Sequence, residues 1–316
     1  MSSTMAIGLT RMPREPLLEA LVSIRAHIPE DAMSAGLLGT ERAGHGIRVR
    51  DDGLILTIGY VVNEAEEIWI GSHDGRAVPG FVVGNDFRTG LALIRPMMPL
   101  PGRSVPIGSS GSLRVGDPVW IAGSGRADPQ VVDAEIIAKQ EFAGRWEYVL
   151  DEAIFTTPPH ESWSGAALMD MNGRLCGVGS LVIQGFEADE SVHTVNMFVP
   201  IDILSPVMDE ISIRGRRSEP PRPWLGMLVH DDNDTLVVVG IYRDCPADRA
   251  GLRPGDIVLR VDGRPVHNLA HMFRTVWSLG DAGVDVPLLV LRDAELQETT
   301  IKSAPRGEFL RKGTLQ

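Results

Sequence analysis

The sequence predicts an all-β domain followed by a smaller α+β domain, and three patterns lead to this expectation. Short β-rich runs recur between glycine and Asn/Asp turns from about residue 20 to residue 200. A stretch rich in arginine and proline then interrupts the apolar pattern. The remaining segment alternates short strands with one strongly amphipathic helix. At 316 residues the chain is long enough for two domains, each with its own core.

The first domain begins with a run in which every second residue is apolar, from Val22 to Ile28. This period of two indicates a half-buried strand. The dipeptides Asp52-Gly53 and Asn172-Gly173 favour tight hairpin turns. Further strands are predicted at 46–50, 54–57, 67–70, 78–83, 91–95, 118–122, 131–139, 146–150, 166–169, 175–183 and 194–199. So many short strands at this spacing are typical of a sandwich or a barrel.

A helix and a linker separate this domain from the next. Ile201, Leu204, Met208 and Ile211 have helical spacing, so the first domain is predicted to span 20–211. Residues 212–223 contain arginine and proline but almost no apolar side chain, which is typical of an interdomain linker.

The second domain is predicted to span 224–303. Strands are expected at 236–241 and 257–261, with a short helix ending near Gly251 between them. Asn268 begins an amphipathic helix at 269–277, and the runs 286–292 and 298–302 predict a closing hairpin. Residues 304–316 are expected to form a loose tail.

Composition excludes several classes of function. A net charge of −12 and a pI near 5.1 argue against nucleic acid as a partner. No apolar run approaches the length of a membrane span. Residues 1–15 show no apolar run behind a basic start, so no signal peptide is visible and a cytoplasmic location is expected.

Neither metal nor cofactor is predicted. Cys176 and Cys245 lie far apart without metal-like spacing, so two buried free thiols are expected. The histidines and acidic residues form no cluster with the spacing of a metal site.

The second domain carries two motifs that resemble a known family. These are Trp224-Leu225-Gly226-Met227 and the run from Cys245 to Asp256, Cys-Pro-Ala-Asp-Arg-Ala-Gly-Leu-Arg-Pro-Gly-Asp. Their order and spacing resemble the PDZ domain of the HtrA/DegP proteases, in which the first motif is the carboxylate-binding loop. Successive backbone N–H groups in a glycine-containing turn suit a terminal carboxylate. The resemblance thus implies that Trp224, Leu225, Gly226 and Met227 bind peptide C-termini, with protein or peptide tails as partners.

The first domain is similar to the chymotrypsin-like protease domain of the same family. The matching runs are Ala43–Ile47, Asp51–Thr57, Asp86–Leu93 and Ser162–Leu168. The resemblance implies two six-stranded barrels, a nucleophile position at Ser164 and an oxyanion-hole position at Ser162. It also implies a homo-oligomer, since such proteases commonly assemble as trimers.

The catalytic positions depart from the family pattern. Tyr60 replaces the histidine that acts as base, and Gly90 replaces the aspartate that orients it. Tyrosine, with a reference pKa near ~10, is a poor general base at neutral pH. A serine hydroxyl is a weak nucleophile until a base takes its proton. We therefore expect an inactive protease homologue that binds peptides as a scaffold, adaptor or chaperone-like protein.

Two alternatives stay open at this point. The first is an active serine endopeptidase with a non-standard site at Ser164, for which His160 on the same loop is the nearest candidate base in sequence. The second is a structural subunit of a larger complex, in which the barrels serve only as packing surface.

Overall fold

The first six strands close into a barrel in the computed structural model, which describes residues 15–124, 130–188 and 191–311. The spatial order is β1-β2-β3-β6-β5-β4. The strands are β1 (Leu21–His27), β2 (Glu41–Arg48), β3 (Ile55–Ile58), β4 (Glu67–Gly71), β5 (Ala77–Asp86) and β6 (Leu91–Pro96). Short helices lie before and between them: α1 (Glu15–Leu18), α2 (Ala35–Leu38) and α3 (Gly59–Val62).

A second closed barrel follows, with the order β10-β11-β12-β9-β8-β7. Its strands are β7 (Pro118–Gly123), β8 (Gln130–Gly144), β9 (Tyr148–Thr157), β10 (Ala167–Met169), β11 (Leu175–Ala188) and β12 (Ser191–Pro200). The helix α4 (Met208–Arg214) leaves this barrel and packs its buried Ile211 against Gly84 of β5.

One cluster of buried apolar residues extends across both barrels. Ile55 and Leu93 of the first barrel belong to the same buried cluster as Phe155 and Met197 of the second. The predicted fold class, two six-stranded barrels followed by a PDZ-like domain, is confirmed.

The second domain is a sheet that packs against one main helix. Its strands are β13 (Met227–Asp232), β14 (Thr235–Ile241), β15 (Ile257–Val261), β16 (Arg264–Pro265), β17 (Asp285–Arg292) and β18 (Glu295–Lys302). Its helices are α5 (Pro246–Arg249) and α6 (Leu269–Ser278). The Asn268 side chain accepts a hydrogen bond from the His271 N–H at 2.8 Å, which caps α6 at its predicted start. Strand β13 lies at one edge of the sheet, beside α6.

The segment 212–223 is more strongly anchored than its composition indicates. Helix α4 continues to Arg214, and Arg217 forms an ion pair with the buried Asp86 of β5. Arg222 lies 4.1 Å from the ring centroid of Trp277 on α6. The segment therefore contacts both of the domains that it connects.

The expectation of a loose C-terminal tail is wrong for residues 304–311. Ala304 pairs with Trp224 in a β-bridge, and Phe309 packs on the Trp224 ring at 5.1 Å between centroids. The Arg311 N–H donates to Glu64 Oε1 at 3.1 Å, which ties this segment to the first barrel. Residues 312–316 lie outside the described part of the chain.

The hairpin of β8 and β9 is longer than predicted. The sequence placed the end of β8 at Lys139, but the strand continues to Gly144 because its pairing with β9 extends to Gly144 opposite Tyr148. This extension brings the hairpin against α6 of the second domain. No helix among the described residues is long and apolar enough to cross a membrane.

Candidate functional site

Ser164 lies on the loop that precedes β10, and the local backbone is tightly packed. The His45 N–H donates to the Ser164 carbonyl at 2.8 Å, and the Gly165 N–H donates to the Gly179 carbonyl at 2.9 Å. Gly165 has φ +79°, and a Cβ there would lie 2.0 Å from the His45 carbonyl oxygen. Glycine is therefore required beside the serine. The Ser164 Oγ is buried and has no hydrogen-bond partner among the described residues.

Tyr60 lies on α3, and its hydroxyl donates to the Ser180 carbonyl of β11 at 2.7 Å. Burial raises the pKa of this hydroxyl to about 12, although the nearby Ser164 and Trp163 oppose the effect in part. The phenol therefore keeps its proton at neutral pH and uses it to bind a backbone carbonyl. This arrangement gives Ser164 no general base.

Gly90 has a backbone conformation that suits glycine better than aspartate. Its φ is +75°, a left-handed value that L side chains rarely adopt. Its N–H donates to the Asp86 carbonyl at 2.8 Å, and its carbonyl accepts from the Gly59 N–H at 2.7 Å. A Cβ would have space, since its nearest neighbour would be Ile58 at 3.9 Å. An aspartate here would meet no crowding, but the left-handed backbone would cost it more than it costs glycine.

Ser162 was predicted to offer an oxyanion-hole N–H, but this N–H is already used. It donates to Nδ1 of His160 at 3.0 Å, while the His160 Nε2 faces the Gln130 carbonyl at 3.2 Å. Burial lowers the pKa of His160, which favours the neutral ring that these contacts require. His160 therefore binds its own loop and leaves the Ser164 Oγ without a base.

Among the described residues, the other four histidines of this domain also make no hydrogen bond to the serine hydroxyl. His27 binds Glu41 at 2.6 Å, and His193 contacts Ser191 on the surface. His73 is exposed. His45 is buried, its Nδ1 has no hydrogen-bond partner among the described residues, and burial lowers its pKa to about 4. Within the described chain, no histidine makes a hydrogen bond to Ser164 Oγ.

A cavity of about 290 Å³ lies beside this site. Tyr60, Gly90 and Trp163 form part of its wall. The other domain and the C-terminal segment contribute Tyr242, Arg306 and Leu310. The cavity beside Tyr60, Gly90 and Trp163 is thus bounded by both domains.

The predicted peptide loop, residues 224–227, ends at the first residue of β13. Gly226 has φ +81°, and a Cβ there would lie 2.5 Å from the Cys245 Cβ, so the turn requires glycine. The Leu225 carbonyl accepts from Ala247 at 2.8 Å, and the Gly226 carbonyl accepts from Tyr242 at 3.0 Å. These bonds hold the carbonyls on one side and leave three successive N–H groups on the other.

A carboxylate from the first domain accepts all three of these N–H groups. Glu147 Oε2 accepts from Leu225 at 3.0 Å, and Oε1 accepts from Gly226 at 2.8 Å and from Met227 at 3.3 Å. Glu147 links β8 to β9, has φ +64° and is 7% exposed. Burial raises its pKa to about 7, although the three hydrogen bonds and Arg306 favour the ionised form.

Glu147 was not among the residues predicted from the sequence. It stands between Trp146 and Tyr148 in an ordinary β-rich run, without a motif or a turn dipeptide. Its role depends on a contact between residues 78 positions apart, Glu147 and Leu225. Sequence spacing carried no signal for that contact.

Two family profiles match the chain. A profile described as a trypsin-like peptidase domain matches residues 44–178, and one described as a PDZ domain matches residues 223–303. The first covers the matched runs of both barrels, and the second covers the loop at Trp224–Met227.

Curated relatives match most of this chain. A "Probable periplasmic serine endoprotease DegP-like" of Pseudomonas savastanoi pv. phaseolicola is 27% identical over 83% of this chain and 56% of its own length. A protein of the same name from Halomonas elongata is 29% identical over 82% of this chain and 55% of its own length. The chain thus spans little more than half the length of these relatives.

The names of these relatives overturn one expectation. They are called periplasmic, so the cytoplasmic location expected from the sequence is contradicted. That expectation rested on the composition of residues 1–15.

Solved structures agree on the fold. The HtrA-type protease AlgW with tripeptide superposes with a TM-score of 0.55 at 22% identity, covering 95% of this chain and 97% of that one. The serine endoprotease from Yersinia pestis gives 0.53 at 24% identity, with 92% and 96% covered. These structures share the fold, while the two profiles in this order and the DegP-like relatives show that the chain belongs to the HtrA/DegP-like family, with a trypsin-like peptidase domain and a PDZ domain.

Proposed function

We propose that this protein is a non-catalytic member of the HtrA/DegP-like family that binds the C-termini of other proteins as a scaffold, adaptor or chaperone-like protein. One observation carries the first half of the proposal: the Ser164 Oγ is buried and contacts no base among the described residues. The homologues are named serine endoproteases, so inactivity is a property that we propose for this chain alone.

The site has lost several contributions to catalysis at once. Loss of the nucleophile or the base of a serine protease triad costs on the order of 10⁶ in turnover. The oxyanion hole and substrate binding can retain roughly 10³–10⁴ over water. Here the N–H at the oxyanion position is also engaged, by His160 at 3.0 Å. The remaining rate enhancement would therefore lie below the range that an intact oxyanion hole provides.

The peptide-binding half of the proposal rests on the loop at 224–227. Its three N–H groups point at one carboxylate with donor–acceptor distances of 2.8 to 3.3 Å. The geometry for binding a carboxylate is therefore built into the loop. A free protein C-terminus supplies the same chemical group, and the edge strand β13 beside α6 offers a place for an extended chain.

We further propose the periplasm as the location, because the relatives are named periplasmic. Both cysteines suit an oxidising compartment as buried free thiols, since burial raises the pKa of Cys176 to about 11 and of Cys245 to about 12. The homo-oligomer implied by the family resemblance belongs to the same proposal, and light scattering on the purified chain would measure it.

Labelling and digestion test the catalytic half directly. The wild-type chain and Ser164→Ala are incubated with a fluorophosphonate probe and, separately, with unfolded casein. We expect that neither protein forms a covalent adduct with the probe. We also expect that neither protein cleaves casein. An adduct on Ser164, together with cleavage that Ser164→Ala abolishes, would establish an active endopeptidase instead.

A peptide array tests the binding half. The full chain is applied to peptides with free C-termini and to the same peptides with amidated ends, and binding should require the free carboxylate. Absence of binding to any free C-terminus would favour a structural subunit of a larger complex.

A further inference from the structure

The carboxylate loop of the PDZ domain is occupied by the chain itself. Each of its three N–H groups donates to Glu147, and the carboxylate is buried against the loop. Three donors that are engaged by one carboxyl group cannot bind a second carboxylate at the same place, because the two groups would occupy the same space. A protein tail can therefore enter only after Glu147 leaves.

The hairpin of β8 and β9 contacts more of the PDZ domain than the loop. Its contacts continue toward the PDZ groove, which is the space between β13 and α6. Val149, two residues after Glu147, is buried in the apolar cluster of the PDZ domain together with Leu225, Met227 and Phe273. Arg274 on α6 binds Glu141 of β8 and Asp151 of β9, the latter at 2.5 Å. The end of the β8–β9 hairpin thus supplies a carboxylate, an aliphatic side chain and two acidic groups to the PDZ domain.

We propose that Glu147 is an internal ligand of the carboxylate loop, and that protein tails bind by displacing the hairpin end 141–151 from the PDZ groove. This inference rests on the proposed peptide-binding function and adds its regulation and the chemistry of its partner.

The groups now held in the groove indicate which tail displaces them. The space filled by Val149 suits an aliphatic side chain. Arg274 loses two carboxylates when the hairpin leaves, so it favours a ligand that returns acidic groups to it. The partner is therefore a protein with a free C-terminus, an aliphatic last residue and acidic residues upstream.

Displacement of the hairpin end would also change the cavity beside Tyr60 and Trp163 in the first domain. Trp146 and Tyr148 flank Glu147 and line the cavity that contains Tyr60 and Trp163. The Trp146 carbonyl accepts from Arg306 Nη1 at 3.1 Å, which fixes this wall to the segment after the PDZ domain. Release of the hairpin end would break this contact and open the cavity, so tail binding and access to the cavity are coupled.

The test compares tail affinity in the full chain with and without the internal ligand. The probe is a fluorescein-labelled decapeptide that ends in valine and carries two acidic residues upstream, with an amidated copy as the negative control. Glu147→Ala should tighten its Kd by at least about tenfold, because the competing state is removed. Glu147→Gln, which keeps the shape and one acceptor oxygen, should give a smaller gain and serves as a second variant if alanine disturbs folding.

Glu152→Ala is the matched control. Glu152 lies on the same hairpin, carries the same charge and binds Lys139 of the neighbouring strand at 3.1 Å. Its removal should leave the affinity unchanged. A gain as large as that of Glu147→Ala would show that net charge, and not the loop contact, controls binding.

Amide hydrogen exchange of the unliganded chain gives a readout that does not depend on the peptide. Exchange at Leu225, Gly226 and Met227 should rise at least about tenfold in Glu147→Ala, because the carboxylate that accepts these three N–H groups in the described structure is removed. Equal peptide affinity in the wild type and both Glu147 variants, or unchanged exchange at the loop, would overturn the internal-ligand inference while peptide binding stands. Raised exchange without binding of the peptide or of any array tail would instead overturn the peptide-binding function and the competition that depends on it.

Discussion

Arg217 and Asp86 form a two-point ion pair, with Nε to Oδ1 at 2.8 Å and Nη2 to Oδ2 at 2.6 Å. Asp86 also accepts from the Thr89 hydroxyl at 2.8 Å, and its side chain is only 2% exposed. The residue thus holds the turn that carries Gly90 and the segment that leads to the PDZ domain. Asp86 therefore has a structural role in this chain.

Arg217→Met should destabilise the chain strongly, because it leaves the Asp86 carboxylate buried and unpaired. Breaking a buried pair from one side costs about 3–5 kcal/mol. The midpoint of urea unfolding measures the loss. Arg216→Met is the matched control, since Arg216 is exposed and forms no ion pair within the described residues. Equal midpoints for the two variants would contradict this account.

Tyr60→His with Gly90→Asp should fail to restore proteolysis, although it returns the two missing residue types. The aspartate would have to adopt φ +75°, and the Ser162 N–H would still be bound by His160. Casein cleavage by the double variant should equal that of the same protein with Ser164→Ala added. Cleavage that depends on Ser164 would show that the catalytic geometry survives beneath the substitutions.

Tail affinity should increase as pH rises from about 5 to 8. The pKa of Glu147 is raised from 4.5 to about 7 in the closed contact, so closing takes up a proton. This proton uptake stabilises the closed contact between Glu147 and the loop. The stabilisation is fully present below pH 4.5 and is lost as pH rises through about 7. The pKa shift corresponds to a change of about 3 kcal/mol in the free energy of the closed contact between low and high pH.

Fluorescence titrations across this range measure the effect. Arg306, Tyr242 and Cys245 also face the Glu147 carboxylate, and burial raises the pKa of the tyrosine and of the thiol away from neutrality. Glu147→Gln lacks the titrating group and should therefore flatten the profile. If the tail affinity of this variant changed with pH as steeply as that of the wild type, another group would be responsible for the pH dependence.

Gly226→Ala should disrupt the PDZ loop far more than Gly251→Ala does. Both glycines have left-handed backbones, with φ +81° and +77°. A Cβ at position 226 would lie 2.5 Å from the Cys245 Cβ, whereas position 251 opens to free space. We expect about 1 kcal/mol of backbone strain at 251 and about 1–3 kcal/mol more from the clash at 226. Thermal unfolding of the two variants tests the ranking.

Much of the architecture could be predicted because it depends on local patterns. Alternation from Val22 to Ile28 predicted β1, and Asn268 with its apolar periodicity predicted α6 to within one residue at its end. Long-range contacts could not be predicted in this way. Three features depend on residues that meet only in the folded chain. They are the extended pairing of β8 with β9, the Arg217–Asp86 ion pair and the packing of segment 304–311.

The same division applies to the candidate sites. The motif positions Tyr60, Gly90, Ser162 and Ser164 could be read from matched runs, but their hydrogen bonds could not. The Ser162 N–H was expected to remain available, and the structure directs it to His160. The Trp224–Met227 loop was expected to bind peptide C-termini, and in the structure a glutamate from the first domain occupies it.

Glu147 and its loop belong to one polypeptide, so the internal carboxylate is present at a high effective concentration that dilution cannot lower. Affinity measured with a separated PDZ domain would therefore overstate the affinity of the whole protein for the same tail. Partners with modest affinity for the free loop would be rejected by the intact chain. Only tails that are abundant, tethered nearby or displayed in several copies would displace Glu147. The protein would therefore respond to protein termini only above a threshold in their local concentration.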